Sequence, residues 1–100
     1  MYKIKFYTEA NEEVEISLLH YKEVSAEVAK NFLNNVESSI ELIKNNPLAF
    51  QKRYKNKREV PVQSFPFVII YEIKKNFIDV LSVYHTKRNP DKKYRRRFKK

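Results

Sequence analysis

The side chains best suited to chemistry in this 100-residue chain gather toward its C-terminal end. His85 stands where a strand-like stretch, Phe77 to Tyr84, gives way to basic residues. An imidazole there can take or give a proton near neutral pH. Arg58, Arg88 and Tyr94 are of the types that hold the charge of a phosphate, provided that the segment around Arg58 and the C-terminal tail converge. Each also has a plainer role. His85 can bond its ring to loop backbone, Arg58 can be a solvated strand residue, Arg88 can anchor the tail, and Tyr94 can pack it. Two groups of cations flank them, Lys52, Arg53 and Lys55 in one and Lys87, Lys93, Arg95, Arg96 and Arg97 in the other.

Charge is divided unevenly. Residues 1–51 carry five Lys/Arg and eight Glu, a net of −3, whereas residues 52–100 carry sixteen Lys/Arg and four acids, a net of +12. Nine of the last fourteen residues are basic, so a fold that gathers the second half on one face offers a strong positive field to a polyanion or an acidic protein. Tyr54, Tyr94 and Phe98 are interleaved with these cations and suit base stacking beside phosphate contact.

Other classes of chemistry are excluded. Cysteine is absent, which removes disulfides and thiolate metal sites and is compatible with a reducing cytoplasm. The two histidines, His20 and His85, have no zinc-site spacing, so no metal and no cofactor is expected. Glycine is absent too, and phosphate-cradling loops need it where backbone approaches the ligand. The longest apolar run, Phe67 to Tyr71, is far short of the roughly 20 residues of a membrane span. The expected protein is therefore soluble and cytoplasmic. Glu12, Glu13 and Glu15 read as a solvated first helical turn, and His20 as a boundary residue.

The elements that must position these groups follow from periodicity. Tyr2 to Tyr7 alternates as a half-buried strand, and Thr8 is placed to cap a following helix with Ala10, Val14, Leu18 and Tyr21 on one face. Ser25 caps a second helix whose stripe is Ala29, Phe32, Val36, Ile40 and Ile43. Asn45-Asn46-Pro47 stops it, with Asn in a left-handed cap. Leu48 to Asn56 reads as a loop. Lys57 to Val62 reads as a strand that Pro61 confines to an edge or ends early. Phe67 to Lys74 and Phe77 to Tyr84 form a hairpin whose turn, Lys75-Asn76, uses Asn for positive φ. Asn89-Pro90-Asp91 looks like a further helix start, but like-charge pairs such as Lys92/Arg96 oppose that helix unless a partner is bound. The expectation is a single α+β domain over residues 1–90, order β-α-α-β-β-β, with a helical hairpin packed on a mainly antiparallel sheet and a basic tail over 91–100.

Pro47, Phe65-Pro66-Phe67 and the strand exit Val83, His85, Arg88 and Pro90, in this order of elements, resemble the ParE/RelE superfamily of toxins from type II toxin–antitoxin systems. Phe67 stands where many members have tyrosine. The resemblance implies an antitoxin partner, often acidic, and one of two activities. ParE-like members poison DNA gyrase by binding it and need no catalytic set. RelE-like members cut messenger RNA on the ribosome without a metal, which requires a base for the 2′-hydroxyl, an acid for the leaving oxygen and cations at the phosphate. His85, Arg58, Arg88 and Tyr94 are the available groups for that cut. Histidine at this position also resembles ParE-like members, and the motif content favours gyrase inhibition over the nuclease. A non-toxic basic nucleic-acid-binding module is the third reading.

Overall fold

In a computed structural model of the chain, residues 2–87 are described. Arg88, the Asn89-Pro90-Asp91 helix start, Lys93, Tyr94, Arg95, Arg96, Arg97 and the rest of the tail lie outside them.

The chain opens with strand β1 (Lys3–Phe6) and passes through helices α1 (Thr8–Val24) and α2 (Ala26–Asn45). A 3-10 turn (Pro47–Ala49) leads to strands β2 (Lys52–Tyr54), β3 (Lys57–Pro61), β4 (Phe67–Lys74) and β5 (Phe77–His85). The five strands form one sheet in the order β1-β5-β4-β3-β2. All pairings are antiparallel except that of β1 with β5. Because β1 and β2 occupy opposite edges, the helical hairpin has to carry the chain across the sheet, and in doing so it covers one face. The architecture is the expected α+β class.

One residue joins the two helices. The amide of Ser25 closes α1 on the Tyr21 carbonyl at 2.9 Å, and its hydroxyl oxygen accepts the Val28 amide of α2 at 3.0 Å. An N-cap bond of this kind stabilises a helix by about 1 kcal/mol. The α2 stripe is buried at Ala29, Phe32, Val36 and Ile43, with Ile40 half-buried against the same core. It faces Val60, Val62, Phe67, Ile69, Tyr71, Ile78, Val80 and Val83 of the sheet. Val68, Ile70 and Tyr84 alternate to the opposite face and form a second small cluster with Leu81.

Local expectations fail at five places. Thr8 is inside α1 rather than its cap; Tyr7 precedes the helix, still held to the sheet by its amide on Val80, and no side chain caps the turn. Asn46 ends α2 with φ −153° rather than in the left-handed region. The segment read as a loop, Leu48 to Asn56, contains most of the 3-10 turn and a short edge strand, β2, which too few residues define for periodicity to show. In the β4–β5 turn positive φ falls on Lys75, at 25°, not on Asn76. Glu13 is buried, not solvated.

The buried Glu13 is explained by β5. Ile70 pairs with Ser82 and Tyr71 with Val80, so Leu81 is an extra residue and the ladder is broken there. β1 accompanies β5 only as far as Val80, so beyond it β5 has no strand on that side. α1 takes the place of the missing strand. One Glu13 carboxylate oxygen accepts the Ser82 hydroxyl at 2.8 Å and the Val83 amide at 2.9 Å. Ala10 and Ser17, one turn to either side of Glu13, are small and buried, which lets the helix approach.

Candidate functional site

The groups singled out by sequence fall at two places on the sheet. At one end, His85 leaves β5 beside Phe67, ring centroids 4.9 Å apart. The two line a cavity of about 300 Å³ with Ile16, Ser17, His20 and Tyr21 of α1. Both histidines of the chain therefore face the same space, although 65 residues separate them in sequence. The Lys87 amide donates to His85 Nδ1 at 3.1 Å. That bond leaves the proton of the neutral ring on Nε2. It also gives His85 the backbone-holding role that the sequence allowed. Behind this cavity Tyr21, Phe32, Phe65 and Phe67 pack ring to ring, with Phe32 centroids 5.1–5.3 Å from the other three. Phe67 is used here as an apolar surface.

At the other place, β2 and β3 form a basic hairpin. Lys52, Arg53 and Lys55 are exposed, and Lys55 occupies the turn with φ 53°. The Lys55 and Lys57 ammonium groups lie 5.4 and 6.0 Å from the centre of the half-buried Tyr54 ring. At this range a cation is attracted by the ring face. Lys57 also pairs with Glu72 at 3.6 Å.

Arg58 is not a solvated strand residue, the plainer of the two roles its sequence position allowed. Its guanidinium donates to the Phe50 carbonyl at 2.6 Å, and it sits opposite Tyr71 in the register. The Tyr71 hydroxyl donates to the Pro47 carbonyl at 2.6 Å. Burial pushes the Tyr71 phenol up to about 12, with the positive charge of Arg58 partly opposing. Arg58 and Tyr71 thus clamp the segment after α2, Pro47 to Phe50, onto the sheet.

His85 and Arg58 are not brought together. His85 pairs with Phe67 and Arg58 with Tyr71, four residues along β4 and on opposite flanks of it, so their backbones are on the order of 16 Å apart. Lys87 is exposed near His85. The partners proposed for Arg58 and His85 on the tail, Arg88 and Tyr94, lie outside the described residues. Among the described residues no group of three or more His, Asp or Glu side chains is placed to hold a metal.

Sequence reasoning missed Glu13 and Tyr71. Glu13 had a faint signal, since Ala10, Glu13 and Ser17 share one helical face on which the two neighbours are small.

The model of a family described as ParE toxin of type II toxin–antitoxin system, parDE, matches residues 4–90. The chain belongs to the ParE toxin family. By family it is the toxin of a type II toxin–antitoxin system, and three of the segments on which the resemblance rested have defined places in this fold. Pro47 starts the clamped segment, Phe65 and Phe67 enter the aromatic cluster, and His85 ends the last strand. Among solved structures, the chromosomal ParDE TA system from P. aeruginosa includes a chain of the same fold, with TM-score 0.76 at 16% identity. The match covers 87% of this chain and 98% of that one. None of the curated proteins matches. No helix among the described residues is long and apolar enough to cross a membrane.

Proposed function

We propose that this ParE-family chain inhibits DNA gyrase by binding it, in the cytoplasm, and that a cognate acidic antitoxin neutralises it. The supporting observation is the separation of Arg58 from His85, each engaged with backbone of its own neighbourhood. A ribonuclease set has to converge on one phosphate. A binding toxin needs only a charged and shaped surface, and the hairpin of Lys52, Arg53 and Lys55 around Tyr54 offers one. The same surface, with Lys87 and the tail cations Lys93, Arg95, Arg96 and Arg97, suits an acidic antitoxin.

A second reading draws on the cavity that His20 and His85 share: a RelE-like cut of messenger RNA on the ribosome, with His85 as acid or base and Arg58, Arg88 and Tyr94 at the phosphate. Induction of the chain in a bacterium, with supercoiling and transcript integrity followed together, separates the two. Gyrase inhibition with intact transcripts is the expected result, and His85→Ala then retains toxicity as far as the strand exit stays folded. Cut transcripts with unaffected supercoiling, and a loss of about 10²–10⁴ in cleavage rate for His85→Ala, would select the nuclease. Normal growth at good soluble expression would leave a non-toxic nucleic-acid-binding module.

A further inference from the structure

The sheet has a second face, turned away from both helices. Val68, Ile70 and Glu72 of β4 point to it, and Leu81 and Tyr84 of β5 meet Ile70 there. The helices, the Pro47–Ala49 turn and the loop through Val62 and Phe65 pack on the opposite side. A strand side chain on an uncovered face keeps one side in water. Phe77, at the start of β5, follows that rule and is 43% exposed. Ile70, Leu81 and Tyr84 do not, at 0%, 4% and 4%.

That burial is within a single chain, so neither a second copy nor a partner supplies the cover. The start of the chain does not supply it either, since Tyr2 and Ile4 pack into the helix-covered core. Residues 88–100 are left. The Thr86 amide holds the exit of β5 on the Pro66 carbonyl at 2.8 Å. Seven residues lead from Lys87 to Tyr94, a reach of about 23 Å when extended. Ile70 is three residues from the end of the ladder at Phe67 and His85, about 10 Å.

Tyr94 and Phe98 are the aromatic side chains of this segment, and a spacing of four sets them on one face of a helix, flanked by Arg95 and Arg97. Charge agrees with this placement. Three of the four acids in residues 52–100, Glu59, Glu72 and Asp79, border the covered patch. Glu59 stands opposite Ile70 in the ladder, and Glu72 opposite Asp79. The match to the family model stops at residue 90, before both rings.

We propose that residues 91–100 fold back on this outer face as a short helix, seating Tyr94 and Phe98 on Ile70, Leu81 and Tyr84 and turning Arg95 and Arg97 toward Glu59, Glu72 and Asp79. The sheet is then the partner that a short, self-repelling helix requires. Lys92, Arg96 and Lys99 face outward and extend the basic field of the β2–β3 hairpin, which Lys57 joins to this face through Glu72. The docking is independent of what the chain targets.

Because cysteine is absent, Lys99→Cys in the full chain gives a single site for a spin label. In methyl NMR the label is expected to erase the signals of Val68, Ile70 and Leu81 and to spare those of the exposed Leu19 and Leu42 on the helices. Tyr94→Ala combined with Phe98→Ala should restore the erased signals while the amide pattern of α1 and α2 stays as it was. Signals that survive the label in the otherwise unaltered chain, or equal loss on both sides of the sheet, would overturn the proposal. Loss that persists in the double variant would do the same, because the rings would not be the anchors. So would loss passed from a spin-labelled chain to an unlabelled one in the same sample, which would make the contact one between copies.

Discussion

The two ends of the sheet are held by different physics. Around Phe67 and His85, four aromatic rings and the α2 stripe exclude water, and cohesion scales with the carbon surface removed from solvent. Around Arg58 and Tyr71, one guanidinium and one phenol hold a loop by its carbonyl oxygens. The first arrangement tolerates no loss of volume. The second depends on its donors more than on its volume, and it leaves the outer hairpin free to carry exposed charge. A toxin that acts by surface contact, as proposed for this chain, gains from that division, because the contact surface can change without touching the core.

The largest effect that tests this division is expected at the carbon-packed end. Phe32 is fully buried, and Phe32→Ala should cost about 3–5 kcal/mol, read as a lowered denaturation midpoint at constant slope. A loss below about 1 kcal/mol would break the comparison. Next comes the polar contact of Glu13 within the interior. Glu13→Leu leaves the Ser82 hydroxyl and the Val83 amide without their acceptor, at about 1–3 kcal/mol for each group that finds no substitute. Hydrogen exchange at the Val83 amide should rise more than at other β5 amides.

Tyr71→Phe removes a single bond to Pro47 and should cost about 1 kcal/mol near neutral pH. The same residue sets a pH window. Its phenol is raised from 10.0 to about 12, so folding favours the protonated form. The stabilising contribution is complete below pH 10 and is lost as pH rises toward 12. Alkaline unfolding over that window should therefore be shallower in Tyr71→Phe. Smallest of all in stability is the hairpin: Lys52→Glu, Arg53→Glu and Lys55→Glu should each shift it by no more than about 0.5 kcal/mol. Together they should nonetheless abolish target or antitoxin binding in a pull-down with the chain still folded. Unchanged binding would move the contact surface elsewhere.

Much of this fold was legible because long periodic segments repeat their signal. The three-four spacing from Ala29 to Ile43 and the alternation of Phe67 to Lys74 each offer several residues in agreement. Ser25 and Pro47 were legible because their covalent chemistry acts within a few residues. β2, with three residues, gives too short a pattern. Glu13 and Tyr71 were hidden for another reason. Their partners, Val83 and Pro47, lie 70 and 24 residues away, and a backbone amide or carbonyl leaves no mark in the sequence. The separation of His85 from Arg58 belongs to the same class, since only the register of β3, β4 and β5 fixes it.

The pairing of β1 with β5 joins Lys3 to Phe77, near the two extremes of the described chain. Contacts of such long sequence separation form late, because the intervening loop must close before the ladder rewards it. During synthesis the first strand leaves the ribosome long before its only sheet neighbour exists, so the domain cannot be completed until β5 has emerged. A product that stops before β5 would lack that neighbour. For this toxin fold, the first strand and the last become partners only when both are present.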